Sequence, residues 1–524
     1  MLLVHPVREL GQAIPALVGV VLAGRAMGDA QTWWLGPAGV GVVVAVSVLR
    51  WMTTRYRITP EQVQLRTGLV RRKTIATPAD RVRSVDVTAS ALHRVLGLAK
   101  VEIGTGGHHR GRGLELDSLT QAQAAALRAE LLHRDMAACQ DTTRASLRAE
   151  PSAVAVPGDH DSELENDTGL DQETELARMD RRWVRFAPFT MSGVLGAAAI
   201  LGIGSRLVNQ SGVTAGDVGP IRGGLDYVER NPIWLDVLQG LAALVVFVTV
   251  LSIGGYALSY WGFRLTRHSR GSLHITRGLL TTRDVSIEER RLRGIELAEP
   301  LLLRAAHAAR LSAVTTGLKS RSGADGGSSM LLPPAPRSVA RQVAAAILRD
   351  PAPVEVALTA HGPAARRRRF TRALLAASVL IIAAGVAVWR GAAPWLVWAA
   401  LVSVPAAVML AEDRYRSLGH AIAGSFLVTR AGSLYRRRDV LQCEAIIGWN
   451  VRQTFFQRRA GLARLTATTA AGRQRYAVRD VPLVLALPLA HRAVPGLLDD
   501  FLTPAPGTPD LDPAGQPHPH LPLR

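Results

Sequence analysis

Apolar residues in this chain follow two rhythms. Unbroken apolar runs occupy residues 10–27, 33–49, 186–203, 233–260, 373–389 and 392–410, each close to the roughly 20 residues that cross a bilayer core of about 30 Å. After the second run, short stretches instead alternate apolar and polar residues: YRIT (56–59), VQLRTG (63–68), KTIAT (73–77), VRSVDV (82–87), KVEIGT (100–105) and LEL (114–116). Gly, Pro and Asp separate them, which is strand and turn chemistry. Ala and Leu at helical spacing then fill 118–132, with Ser118 and Gln121 set for a capping box. Similar closing helices are predicted at 337–348 and 485–498, the last shortened or kinked by Pro488 and Pro495. The expected fold is a set of membrane α-helical hairpins, six spans in all, with three cytoplasmic α+β barrels, each made of strands followed by a C-terminal helix.

The barrels are repeats. RVRSVDVTASALHRVLGLAKVEIGTGG and RLRGIELAEPLLLRAAHAARLSAVTTG begin at 81 and 291, an offset of 210, and align without a gap. QRRAGLARLTATTAA, from 457, falls on HRVLGLAKVEIGTGG, from 93, an offset of 364. Gly68, Gly278 and Gly432 keep both offsets, as do Arg94, Arg304 and Arg458, and Thr105, Thr315 and Thr469. Gly97 and Gly461 match each other, whereas the middle repeat has His307. These positions read first as determinants of the fold, since repeats share packing demands more reliably than function.

Charge orients the spans. The chain of 524 residues carries a formal net charge of +20, yet its mean hydropathy is +0.14, too apolar for a soluble basic protein. Arg8, Arg50, Arg55, Arg57, Arg181, Arg182, Arg185, Arg264, Arg267, 366–369, Arg414 and Arg416 all flank the spans on one side, which the positive-inside rule makes cytoplasmic. Trp33, Trp34, Trp51, Trp234, Trp261, Trp389 and Trp395 sit at span ends, as interfacial tryptophans do. The expectation is a multi-pass protein of the inner, cytoplasmic membrane, with both termini and all three barrels in the cytoplasm. Arg25 occupies ground that a cleavage site would give to small residues, so the first run reads as an uncleaved anchor. The organisation expected is hairpin 1–51, barrel 52–135, acidic disordered linker 136–182, hairpin 183–262, barrel 263–350, basic linker 351–370, hairpin 371–411, barrel 412–502 and a Pro-rich tail 503–524.

The pair of spans followed by YRIT, the LRTGLV hairpin and the motif at 81–107 resembles the bacterial pleckstrin-homology-like (PH-like) membrane protein family, with a bPH2 domain of the YdbS or YdbT type. VHPVREL, with His5 and Pro6 ahead of the first span, is similar to the opening of such proteins. The resemblance covers the first repeat best and the second moderately. It is weakest in the third, where CEAIIGWN (443–450) lacks counterparts of Arg81 and Arg83. It implies PH-like barrels, no known catalytic residues and a role at the membrane; the expected function is non-enzymatic binding or scaffolding at the inner face of the cytoplasmic membrane, in an envelope-associated complex.

Other classes find little in the residues. GTGGHHRGRG (104–113) lacks the GK[ST] ending of a phosphate-binding loop, and adjacent His108 and His109 have no partner cluster for a metal. Cys139 and Cys443 stand alone. No catalytic residue, metal or cofactor is therefore expected. The acidic run at 159–175 reads as a solvated tether. Ionisable groups inside spans, which would mark a transport path, are limited to Arg25 and Asp236 near span ends, so a component of a transport or export system is the alternative reading. Expected partners are the lipid bilayer, anionic lipid headgroups, and a membrane protein or a second copy of the chain, not nucleic acid. Arg71, Arg72, Lys73, Arg81, Arg83 and Arg94 are the candidate contacts.

Overall fold

A computed structural model of the chain describes residues 55–59, 62–67, 73–78, 84–104, 114–124, 126–127, 173–190, 232–269, 271–316 and 329–498, with isolated positions between 196 and 206. The chain separates into two compact units. The first is Met1–Val354 with Leu434–Arg437 and Ala470–Arg473; the second is Glu355–Ser433, Arg438–Thr469 and Gln474–Arg524.

In the first unit, β1 (Arg55–Ile58), β2 (Gln62–Thr67) and β3 (Lys73–Pro78) form an antiparallel three-stranded sheet. Then come β4 (Ser84–Ala89), α1 (Ala91–Val95), β5 (Leu98–Gly104) and β6 (Leu114–Thr120). After β7 (Glu173–Arg178), the long helix α2 (Ile233–Tyr260) leads into β8 (Arg264–His268), β9 (Ser272–Arg277) and β10 (Thr282–Glu288). β11 (Leu292–Pro300), α3 (Leu301–Ala305), β12 (Ala308–Thr315), β13 (Met330–Pro336) and α4 (Arg337–Leu348) complete the set. Alternation makes the strands: in β9 every second residue is buried, Leu273 and Ile275 among them. Helical spacing makes α4, whose Ala340, Val343, Ala344 and Ile347 are buried along one face. Each fully buried Val or Ile contributes about 1.5–3 kcal/mol.

The second unit holds α5 (Gly362–Trp389), then α6 (Trp395–Leu401) and α7 (Ser403–Arg416), which turn back against α5. Pro405 at the start of α7 removes a backbone donor, which explains the break between α6 and α7. β14 (Gly419–Ala423) and β15 (Phe426–Ala431) form a hairpin, and β16 (Tyr435–Gln442) follows, its first three residues belonging with the first unit. β17 (Gly448–Arg452), α8 (Phe455–Arg459), β18 (Leu462–Thr468) and β19 (Arg475–Pro482) lead to α9 (Leu483–Ala493); the three strands make a sheet in that order. The short helix inside each repeat starts at 91, 301 and 455, the same offsets that align the sequence.

Among the described residues, three helical stretches are long and apolar enough to cross a membrane: Val237–Tyr260, Gly362–Trp389 and Trp395–Arg416. They coincide with three of the six expected spans. The runs at 10–27 and 33–49, and most of 186–203, lie outside the described residues. Four expectations need correction. Residues 186–189 begin no span: they end a 3-10 turn, Arg181–Phe189, whose Trp183 and Phe186 are buried. The acidic linker does not reach 182 as a tether, because β7 pairs with β8 and its Glu173 and Glu175 meet His268 and Arg264 at 2.9 and 3.5 Å. The basic stretch 366–369 lies on α5, which starts at Gly362 with Pro363 in its first turn. The capping pair is Thr120 with Gln123, since β6 keeps pairing as far as Thr120 opposite Leu98.

Candidate functional site

The sheets do not stop at the repeat boundaries. In the first unit, β4 of the first repeat pairs antiparallel with β10 of the second, giving one sheet in the order β6-β5-β4-β10-β9-β8-β7. Its register sets Ala89 opposite Thr282, Thr88 opposite Arg283, Val87 opposite Asp284 and Asp86 opposite Val285. Beside this seam, Arg94 on α1 donates from Nη1 to the carbonyl of Leu279 at 2.7 Å. Leu279 follows Gly278 at the β9–β10 turn, where φ is +107° and an added Cβ would stand 2.0 Å from the Thr281 carbonyl oxygen. Only glycine fits there. The same turn caps the membrane helix, with Gly278 N donating to Trp261 O and Leu279 N to Leu258 O, both at 2.9 Å. Gly432 repeats the conformation, with φ +108°.

Each described membrane helix is also bonded to a repeat. Tyr256 on α2 is buried and its hydroxyl donates to Pro334 O of β13 at 2.8 Å. In the second unit, Arg368 and Arg369 on α5 reach the buried carboxylate of Asp480 on β19 at 2.6 and 2.5 Å, and Gln457 Nε2 donates to it at 2.7 Å. Beside this knot His361 and His420 face each other, Nε2 to Nδ1 at 2.9 Å, while His361 Nδ1 donates to Arg479 O at 2.9 Å. With both rings neutral, that donation leaves His361 Nε2 as the acceptor and puts the shared proton on His420 Nδ1. Burial, with repulsion from His361 and Arg492, pushes His420 down to about 4; burial lowers His361 as well.

Residues 6–135 and 371–490 match the bacterial PH domain family. The transmembrane protein YdbT of Bacillus subtilis (strain 168) is 22% identical over 312 residues, 57% of this chain and 57% of that protein. Two segments of the chain thus resemble bacterial PH domains, and the chain is similar to a YdbT-type transmembrane protein. It spans less than two thirds of that relative's length, and no solved structure matches it. The family match reverses one expectation, since it takes in the third repeat and leaves out the second. The second repeat carries a strand and a 3-10 turn ahead of its helix and a proline-rich last strand, MLLPPAP.

On this PH-domain frame the candidate residues separate. Arg71, Arg72, Arg81, Arg83, Gly68 and Thr105 lie outside the described residues, and Lys73 opens β3. Arg94 borders the seam; Arg304 and Arg458 occupy the equivalent place on α3 and α8. Thr315 and Thr469 are buried at the ends of the second and third motifs. Basic residues of the later repeats meet carboxylates within the first unit: Arg436 and Arg337 close on buried Glu299, and Arg437 and Arg473 on Glu296 at 3.3 and 3.2 Å. Their partners lie too far along the chain for any sequence pattern to pair them. Among the described residues no cluster of His, Cys, Asp and Glu is placed to hold a metal.

Proposed function

We propose that the chain is a non-enzymatic scaffold on the inner face of the cytoplasmic membrane, with three PH-like domains carried on six spans. The observation that carries this reading is the Asp480 knot. Two guanidiniums at the head of an apolar helix are bound into a buried carboxylate of the adjoining domain, so the helix holds its domain in place instead of tethering it loosely. Tyr256 does the same for α2. A scaffold needs such fixed orientation; a flexibly linked recruitment domain does not. The free faces of the domains then bind anionic headgroups or a protein partner, with Arg71, Arg72, Lys73, Arg81 and Arg83 as the contact residues of the first domain, each worth about 1 kcal/mol near an anionic surface.

Cysteine accessibility tests the placement. Single cysteines at positions equivalent to one another in the three domains should resist a membrane-impermeant reagent in intact cells and react after permeabilisation, whereas one in 205–232 should react from outside. A domain that labels in intact cells overturns the reading. Replacing Arg81 and Arg83 by Glu in the full chain should then weaken anionic-lipid retention in mixed detergent micelles, most clearly at low salt.

A further inference from the structure

The seam between β4 and β10 shows what each edge of a repeat receives, and two such edges have no strand beside them among the described residues. β17 stands 364 residues after β4 and pairs only with β18. β3 stands 210 residues before the matching part of β10 and pairs only with β2. One is therefore the receiving edge of the seam and the other the entering edge, in separate sheets. The receiving side is otherwise complete: Arg458 on α8 holds the place of Arg94 and is exposed. Its surroundings are apolar, with Ile447 66%, Val451 41%, Phe455 70% and Phe456 72% exposed. An unpaired edge bordered by exposed large apolar side chains is a template for strand addition.

We propose that the chain joins a second copy of itself head to tail, β17 of one molecule receiving β3 of the next in the register of the β4–β10 seam. Carried over by the two offsets, that register sets Thr74 opposite Val451, Ile75 opposite Asn450 and Lys73 opposite Arg452. The two surfaces differ, so the contact is heterologous and repeats into open chains or closes into a ring. Lys73 against Arg452 is a like-charge pair, which keeps the association weak and reversible. The proposal rests on the scaffold reading for the placement of both edges on one side of the membrane.

Paired cysteines test it in the full chain, with Cys139 and Cys443 first replaced by Ala. Facing residues of an antiparallel pair lie about 4.5–5.5 Å apart at Cα, within disulfide reach. Differently tagged Thr74→Cys and Val451→Cys chains, co-expressed and oxidised in membranes, should give a disulfide product carrying both tags, and neither should cross-link alone. Thr74→Cys with Asn450→Cys, one residue out of register and facing the opposite side of the sheet, should give little. Arg452→Glu should tighten self-association in detergent roughly fivefold by turning repulsion into attraction. No mixed product from variants that insert at parental levels, a Val451→Cys chain that cross-links to itself, or an Arg452→Glu chain that associates no better each overturns the proposal. The same cysteines separate this failure from that of the scaffold reading: if they label from outside intact cells, the scaffold reading falls; if shielded but never cross-linked, only the pairing does.

Discussion

Two repeats hold a membrane helix at one place in their fold and use opposite chemistry to do it. Pro334 and Asp480 each lie two residues before the proline that caps the closing helix, Pro336 and Pro482. At the first, a backbone carbonyl accepts one neutral hydrogen bond from Tyr256; at the second, a carboxylate in left-handed conformation, φ +56°, holds Arg368 and Arg369. Aspartate tolerates that backbone better than most residues. The position of the anchor thus belongs to the fold, and its strength belongs to the side chain. The neutral contact contributes little beyond its own hydrogen bond, whereas the ionic one commits buried charge that is costly to leave unpaired.

The largest effect expected is at the ionic anchor. Asp480→Ala leaves two guanidiniums buried without an anion and should cost about 3–5 kcal/mol, measured by denaturant unfolding of the full chain in detergent. Asp480→Asn keeps a residue suited to the backbone but not the charge and should recover only part of the loss. If Asp480→Ala costs no more than removing the Tyr256 hydroxyl, the contrast between the anchors is wrong.

Acid should attack the same unit next. His420 is held at about 4, below the usual histidine value of 6.5, and His361 is lowered too, both first by burial. The unfolded chain therefore takes up protons before the folded one. Stability from this pair is present above about pH 6.5 and declines as pH falls towards 4, by on the order of 3 kcal/mol for His420. Arg492, Arg369 and Asp480 surround the pair, and Asp480 offsets part of the arginine repulsion at His361. A double His361→Phe, His420→Phe chain should lose most of that slope between pH 6.5 and 4; a slope equal to the parent's would place the titration elsewhere.

Sequence pattern disclosed the repeating frame but not these contacts. Period-two alternation placed β1 to β6 within a few residues, and Ala and Val at helical spacing gave 337–348, which is α4. The turn glycines were legible because φ above +100° excludes other residues at Gly278 and Gly432. Asp480, in the stretch VRDVP, looks like an ordinary solvated turn aspartate, and only tertiary packing brings it to arginines 112 residues away. The seam was hidden for a related reason: alternation says which face of a strand is buried, not which strand lies beside it. Arg94, Arg304 and Arg458 were visible as a recurring position, and its meaning came only with the Leu279 contact.

The neutral anchor should yield a smaller loss. Tyr256→Phe keeps the buried ring and removes only the donor to Pro334 O, leaving a buried carbonyl unpaired at about 1–2 kcal/mol. Hydrogen exchange of β13 and α4 should rise while that of β19 stays unchanged, because the two anchors lie in separate units. Equal changes in both would mean that the anchors act as one device, and the comparison would lose its force.

The smallest effect concerns a position that is identical in sequence and unequal in use. Arg94 is exposed, and its bond to Leu279 O ties the first repeat to the turn that caps α2. Solvent competes for that guanidinium, so Arg94→Ala should cost about 0.5–1.5 kcal/mol, read as faster hydrogen exchange in β4 and β10. Arg458 occupies the same place on α8 but borders an edge with no strand beside it among the described residues. Arg458→Ala should therefore leave the stability of the dilute monomer unchanged within about 0.5 kcal/mol, and its cost should emerge only as protein concentration rises and molecules meet. A loss of stability from Arg458→Ala at high dilution would show that this arginine serves its own domain, as the bare sequence repeat suggests, and that the third repeat does not hold it in reserve for a neighbour.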